Sequence, residues 1–329
     1  MSLRVAILAY DGCISSSVVQ PLDGLRIANT LAHLQQPGAL APLEVQLVGA
    51  RGGTARASSG VRFDVAPARP DDFDVLLVSA LDYRSTGELL EKVDGLRAER
   101  QLLRRAADAG KRLVANCSAS VLLAEAGLLD GRRATTSWWL AGLYRQRYPR
   151  VDLAVDELVV EDGPVTTTGA ATAGYEATMR LIELAGGEAL AQNTARLLLV
   201  DRQRQSQAPY ISLALAETAR QPLSERAERW LQKNLHESIS IAALAAHCRV
   251  SERTLLRRFH ADFGATPLEY VQKLRVERAK ALLESTALSF EEIVGRCGYQ
   301  DVSSFRRLFK QVTQLTPNDY RDRFRLRGR

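Results

Sequence analysis

Two sets of side chains near the C-terminus have the type and spacing to grip DNA. Arg253 and Arg257 stand four residues apart, on one face of a helix, and Ser303 and Arg307 repeat that spacing fifty residues later. Arginine can hold guanine through two hydrogen bonds from the major groove, and Ser and Thr pair with several base edges. Thr254, Ser304 and Arg306 lie beside these pairs and belong to the same candidate surface, while Arg258 and Lys310 are better placed for phosphates. Far upstream, Asn116-Cys-Ser-Ala-Ser120 follows an apolar run and opens a helical pattern. Such a strand-to-helix turn exposes a nucleophile, and a helix N-terminus favours the thiolate of a residue such as Cys117.

The elements that must carry the arginines form a repeat. Ile241–Phe259 and Phe290–Phe309 have the same plan: Leu244 matches Ile293 and Cys248 matches Cys297 at an offset of 49, whereas Leu255 matches Phe305 and Phe259 matches Phe309 at 50. The second turn therefore carries one extra residue. Leu255 with Phe259, and Phe305 with Phe309, must face a core, which sends the arginines to the opposite side. Helices are predicted at about Ser224–His236, Ile241–Cys248, Glu252–Phe263, Pro267–Ser285, Phe290–Cys297, Ser303–Val312 and Pro317–Phe324. Ser240, Ser251, Ser289 and Ser303 are expected caps, and Thr266-Pro267 and Thr316-Pro317 each put a capping hydroxyl before a proline at the first helical position.

Charge separates the chain into two parts. From residue 223 to the end there are 20 Lys and Arg against 13 Asp and Glu, a balance of +7, although the whole chain carries only +6. A basic segment beside a near-neutral one is the footprint of a phosphate-binding domain attached to a partner of another kind. No apolar run is long enough to span a bilayer, and no signal peptide is legible at the start, so the chain is expected in the cytoplasm. The four cysteines, Cys13, Cys117, Cys248 and Cys297, are far apart, and with four histidines they form no metal pattern; no metal or cofactor is expected.

The first two-thirds alternates strands with helices. Val5–Ala9, Val45–Val48, Val75–Val78, Leu113–Ala115 and Val165–Thr168 read as buried strands, with helices at Pro21–Gln35, Leu89–Ala109, Ser118–Ala126, Gly174–Ala185 and Glu188–Val200. Leu153–Glu161 is an extra strand or hairpin arm. This pattern predicts an α/β domain over 1–200 with a doubly wound, mostly parallel sheet, a polar, proline-broken linker at 201–222, and an all-α domain with two helix-turn-helix units at 223–329.

The C-terminal segment resembles the AraC/XylS family of transcription regulators. The resemblance rests on Ser251-Glu-Arg-Thr-Leu-Leu-Arg-Arg-Phe259, Gly264-Ala-Thr-Pro267-Leu-Glu-Tyr270 and Leu274-Arg-Val-Glu-Arg-Ala-Lys-Ala-Leu-Leu283. It continues in Cys297-Gly-Tyr299, which leads to Ser304-Phe-Arg-Arg-Leu-Phe309 and Thr316-Pro317. The family's base-reading positions would fall on Arg253, Thr254, Leu256 and Arg257, and on Ser303, Ser304, Arg306 and Arg307. Leu256 departs from the usual polar choice; it suits a thymine methyl or reads nothing.

Upstream, Asn116–Ser120, Leu123-Ala-Glu-Ala-Gly-Leu-Leu-Asp-Gly-Arg-Arg-Ala-Thr-Thr136 and Ser137-Trp-Trp139 are similar to the class I glutamine-amidotransferase-like superfamily, PfpI-type branch. Pro21-Leu-Asp23, Val165-Thr-Thr-Thr-Gly169 and Gly174-Tyr-Glu176 fit the same pattern, and the whole chain resembles the GlxA-type regulators that fuse such a domain to an AraC-type one. Catalytic relatives pair the cysteine with a histidine. Here Ser118 and Ser137 stand in those positions, no histidine lies between His33 and His236, and no acid lies around Cys13–Ser17. A cysteine without a base has no proton acceptor for acyl transfer. The resemblance thus implies a non-catalytic sensor controlling a DNA-binding regulator, more an activator than a repressor. A redox sensor acting through Cys117, or an active cysteine hydrolase, is the alternative.

Asp11, Cys13 and Ser79 lie at strand ends, where α/β sheets bind ligands. With Cys117, Ser118, Ser137 and Trp138 they make the expected effector site. An anionic group suits the helix start after Cys117, and Trp138 or Trp139 suits a cationic amine. The expected partners are double-stranded promoter DNA, a small effector related to amines or amino acids, RNA polymerase and a second copy of the chain, with no membrane.

Overall fold

The computed structural model describes residues 2–213, 222–237 and 239–325. Contacts divide the chain into two compact units, Met1–Ala141 with Tyr148–Gln207, and Gly142–Arg147 with Ala208–Arg329. The expected linker, 201–222, lies partly outside the described residues.

The first unit is built on β1 (Leu3–Leu8), β2 (Leu43–Gly49), β3 (Gly53–Arg56), β4 (Arg62–Pro67), β5 (Val75–Val78), β6 (Arg112–Asn116), β7 (Arg133–Ala134), β8 (Asp152–Leu153), β9 (Val159–Asp162) and β10 (Val165–Thr168). Eight of these form one sheet in the order β3-β4-β2-β1-β5-β6-β10-β9, while β7 and β8 pair separately. The six inner strands are parallel; β3 and β9 join the edges antiparallel. β1 and β5 are apolar throughout most of their length because helices cover both faces of a parallel sheet. The helices of this unit are α1 (Ser15–Gln35), α2 (Thr86–Gly95), α3 (Arg97–Asp108), α4 (Ala119–Glu125) and α6 (Gly174–Leu197), while the short α5 (Ala141–Arg147) falls, from Gly142 on, in the second unit.

The doubly wound, mostly parallel α/β fold read from the sequence is present. Two details differ. The hairpin β3–β4 was not anticipated, because its buried residues, Ala55, Phe63 and Val65, alternate with exposed ones and make no continuous apolar run. The single arm expected over Leu153–Glu161 divides into β8 and β9, and only β9 joins the large sheet. As expected, two helical segments meet at Gly186-Gly187: within α6 the backbone leaves the helix at Gly187, with φ 82° and ψ 169°.

The second unit is helical: α7 (Pro222–Lys233), α8 (Ile241–Cys248), α9 (Glu252–Phe263), α10 (Pro267–Ser285), α11 (Phe290–Arg296), α12 (Val302–Thr313) and α13 (Pro317–Phe324). It has two small cores. Leu244, Cys248, Leu255, Phe259 and Phe263 pack with α7 and with Tyr270, Val271 and Leu274 of α10. Ile293, Cys297, Phe305, Phe309 and Tyr320 pack with Val276, Ala279 and Leu283 of the same helix. One long helix therefore lends its first half to one core and its second half to the other. No described helix is long and apolar enough to cross a membrane.

Candidate functional site: two reading heads and a closed cysteine elbow

The first head consists of α8, a turn and α9. Ser240 and Ser251 cap the two helices by accepting the Ala243 and Thr254 amides. The turn reverses at Arg249, which takes a left-handed conformation with φ 56°. Leu255 and Phe259 are fully buried, so Arg253, Leu256, Arg257 and Arg258 face solvent and Thr254 is half-buried. Among the described residues, no hydrogen bond or ion pair holds the side chain of Arg253, Arg257 or Arg258.

The second head repeats this plan with α11 and α12. Ser289 and Glu292 form a reciprocal capping box. The extra turn residue falls in the segment Gly298-Tyr-Gln300. Gly298 has φ 75°, and a Cβ there would meet His236 Cα at 2.7 Å, so both conformation and space demand glycine. Phe305 and Phe309 are buried; Ser303, Arg306, Arg307 and Lys310 are exposed and Ser304 is half-buried.

One expected cap is corrected. α12 starts at Val302, and its cap is Asp301, not Ser303. The Asp301 carboxylate accepts the Ser303 amide at 2.9 Å and the Ser304 amide at 3.2 Å. An acid satisfies two backbone donors at a helix start and also meets the positive end of the helix dipole, which a serine does not. The signal was available in Gln300-Asp-Val-Ser303, one residue beyond the turn. The other expected caps, Ser240, Ser251, Ser289, Thr266 and Thr316, each accept a backbone amide of the first turn. Arg306 lies over the Phe290 ring, 5.4 Å from its centroid, and 3.5 Å from the Glu291 carboxylate.

In the first unit, β1, β5 and β6 end side by side, and the candidates follow them. Chain order reverses across β1 and β5, the position where open α/β sheets bind ligands. Cys117 has φ 56°, a left-handed conformation that costs a non-glycine residue of order 1–3 kcal/mol. The elbow geometry is therefore present, but its electrostatics oppose a thiolate. Burial raises the Cys117 thiol above its ordinary range, against hydrogen bonds from Ser137 and Ser118 that favour the charged form. Its Sγ lies 2.7 Å from Ser137 Oγ. Ser118 Oγ donates to Leu81 O at 2.8 Å and accepts the Leu81 amide at 2.9 Å, and Ser120 Oγ lies 2.8 Å from Thr136 Oγ1. The hydroxyls around the cysteine are thus engaged within the fold.

Cys13 is buried, its thiol raised by burial, and forms an isolated bridge with Leu81. Ser79 is fully buried, and among the described residues its Oγ has no hydrogen-bond partner. Asp11 is exposed, and its carboxylate accepts the Arg56 amide at 2.8 Å from the hairpin the sequence did not disclose. Trp138 is buried and meets half-buried Trp139 edge-on at 5.2 Å, and Trp139 Nε1 donates to Tyr83. Sequence reasoning missed Gln207. It is 2% exposed, and its Nε2 donates to Thr136 O at 2.8 Å and Val155 O at 2.7 Å, so the end of this unit is tied to the segment that carries Ser137. A glutamine in a polar stretch gives no sequence signal of burial.

The DJ-1/PfpI family profile matches residues 3–184. The chain belongs to the DJ-1/PfpI family. A second profile, helix-turn-helix domain, matches residues 244–323, so this DJ-1/PfpI chain carries an AraC-type domain as well. It is 27% identical to the HTH-type transcriptional regulator GlxA of Rhizobium meliloti, over 97% of this chain and 96% of that one. It is 29% identical to the regulators CdhR and GbdR of Pseudomonas aeruginosa, over 74% and 64% of this chain. It spans 74% of CdhR but only 58% of the length of GbdR. Among solved structures, Drosophila melanogaster DJ-1beta matches 61% of this chain and 100% of its own, at 22% identity and a TM-score of 0.50. That likeness concerns the fold alone.

Proposed function

We propose that this chain is a sequence-specific regulator of transcription, with residues 1–200 as a sensing and dimerisation domain, 201–222 as linker and 223–329 as DNA-binding domain. The observation that carries the reading is the two-sided build of α9 and α12: buried Leu255, Phe259, Phe305 and Phe309 on one side, exposed arginines on the other. Arg253, Thr254, Leu256 and Arg257, with Ser303, Ser304, Arg306 and Arg307, face the bases; Arg258 and Lys310 face phosphates. The protein acts in the cytoplasm as a homodimer and recruits RNA polymerase as an activator.

The α/β domain senses rather than catalyses. Its cysteine is buried, is held by a serine and has no histidine beside it. The unpartnered Ser79 hydroxyl supports an effector site at the strand ends, shared with Asp11, Cys13, Cys117, Ser118, Ser137 and Trp138. A small amine- or amino-acid-related metabolite is the proposed effector.

Selection of the full-length chain on randomised DNA tests the first half: a defined sequence is expected, and enrichment of none would refute base reading. Thermal unfolding of the full chain with amino acids, amines, betaines and small carboxylates tests the second. A ligand at a hundred times its Kd adds about 2.7 kcal/mol. If none stabilises the chain while peroxide alters DNA binding in a way that Cys117→Ala abolishes, redox sensing replaces ligand sensing.

A further inference from the structure

We infer that Asp301 is a positioning residue for base recognition: through Ser304 it holds Arg307 in place before DNA arrives. The inference rests on the proposed role of α12 as a recognition helix.

Three groups stand in a directed chain. Ser304 Oγ is 2.6 Å from Asp301 Oδ2 and gives its single proton to that carboxylate. Its lone pair is then free to accept from the Arg307 guanidinium, whose Nη2 lies 3.0 Å away. Charge runs the same way, from carboxylate through hydroxyl to guanidinium. The Ser304 hydrogen bond is the largest influence holding the Asp301 carboxyl below its ordinary range, and Arg307 adds to it. The carboxylate is itself fixed by the Ser303 and Ser304 amides, so the anchor is rigid backbone.

The first head lacks this device. Its corresponding cap is Ser251, whose Oγ donates to Thr254 Oγ1 at 3.0 Å. That is a neutral pair, and among the described residues it passes nothing on to Arg257. A free arginine must give up rotamer freedom to grip a base, whereas a held one has already done so. Ser304, on the base-facing side of α12, accordingly contributes to base recognition through Arg307.

The test compares base preferences of full-length variants selected on randomised DNA, with thermal unfolding beside each. Arg307→Ala first marks the base position that Arg307 reads, with roughly a fivefold to hundredfold loss of preference. Asp301→Ser installs the cap of the first head, and serine caps a helix about as well as aspartate, so the fold is kept. It is expected to soften preference at that same position by roughly two- to tenfold. Ser304→Ala leaves the cap carboxylate in place and is expected to do the same. The inference is overturned if both variants keep the wild-type preference there, or if Ser304→Ala changes a position that Arg307→Ala does not. If Arg307→Ala changes no position, α12 does not read bases, and the proposed role of α12 falls together with the inference.

Discussion

The helix α9 begins at a serine hydroxyl, and α12 begins at a carboxylate. Beneath these caps the two heads share an interior: Leu255 and Phe305, Phe259 and Phe309, and Cys248 and Cys297 occupy matching buried positions. At the rim they diverge. In the second head Arg306 lies against Phe290 and Glu291, and Arg307 against Ser304, while the arginines of the first head project without such partners among the described residues. A repeat keeps what packing demands and is free to vary what solvent tolerates. Identical folds can therefore present surfaces of different stiffness.

The largest effect should come from the shared interior. Phe259→Ala or Phe309→Ala is expected to cost about 3–5 kcal/mol. Hydrogen exchange should show each loosening its own core more than the other, since α10 is the main element the cores share. Equal loss of protection in both cores would mean the heads fold as one body. Next come the rims: Arg253→Ala and Arg307→Ala should each cost about 1–3 kcal/mol at one base position, read by binding to single-base operator variants. Equal losses on specific and random DNA would remove either residue from base reading.

Caps come third. Ser289→Ala breaks a two-way box with Glu292, whereas Ser240→Ala removes a single bond. Both should lie within about 0.5–2 kcal/mol in thermal unfolding, with Ser289 the larger. The smallest effect is acidic. The Thr266, Ser289 and Ser304 hydrogen bonds hold the Glu269, Glu292 and Asp301 carboxyls below their ordinary ranges. A carboxyl depressed by folding contributes stability that is complete above its unfolded pKa and is lost as pH falls through the folded one. Two of the three sit in the second head, so on acidification its amides should lose protection before those of the first. The reverse order would show that these carboxylates do not set the acid limit.

Much of this protein was legible because its signals are short-range. The cap hydroxyls of Ser240, Ser251 and Ser289 and the buried pairs Leu255–Phe259 and Phe305–Phe309 depend on neighbours three or four residues away, which spacing records directly. The strands β1, β5 and β6 were legible as apolar runs because parallel strands are buried on both faces. The hairpin β3–β4 was not, since its few buried residues, Ala55, Phe63 and Val65, are separated by exposed ones and make no apolar run.

The amino-acid sequence by itself determined the fold class, the repeat and the arginines' side of each recognition helix, because helical and strand periodicity tie side-chain direction to position. Only the tertiary structure decided what those groups meet. Cys117 finds its partner Ser137 twenty residues away, and burial raises its thiol above the ordinary range against the hydrogen bonds that favour the charged form. Arg306 meets Glu291 fifteen residues back, and Gln207 meets Thr136 seventy-one residues back. Ionisation and orientation depend on distance through space and on exclusion of water, and neither is written in the order of residues along the chain.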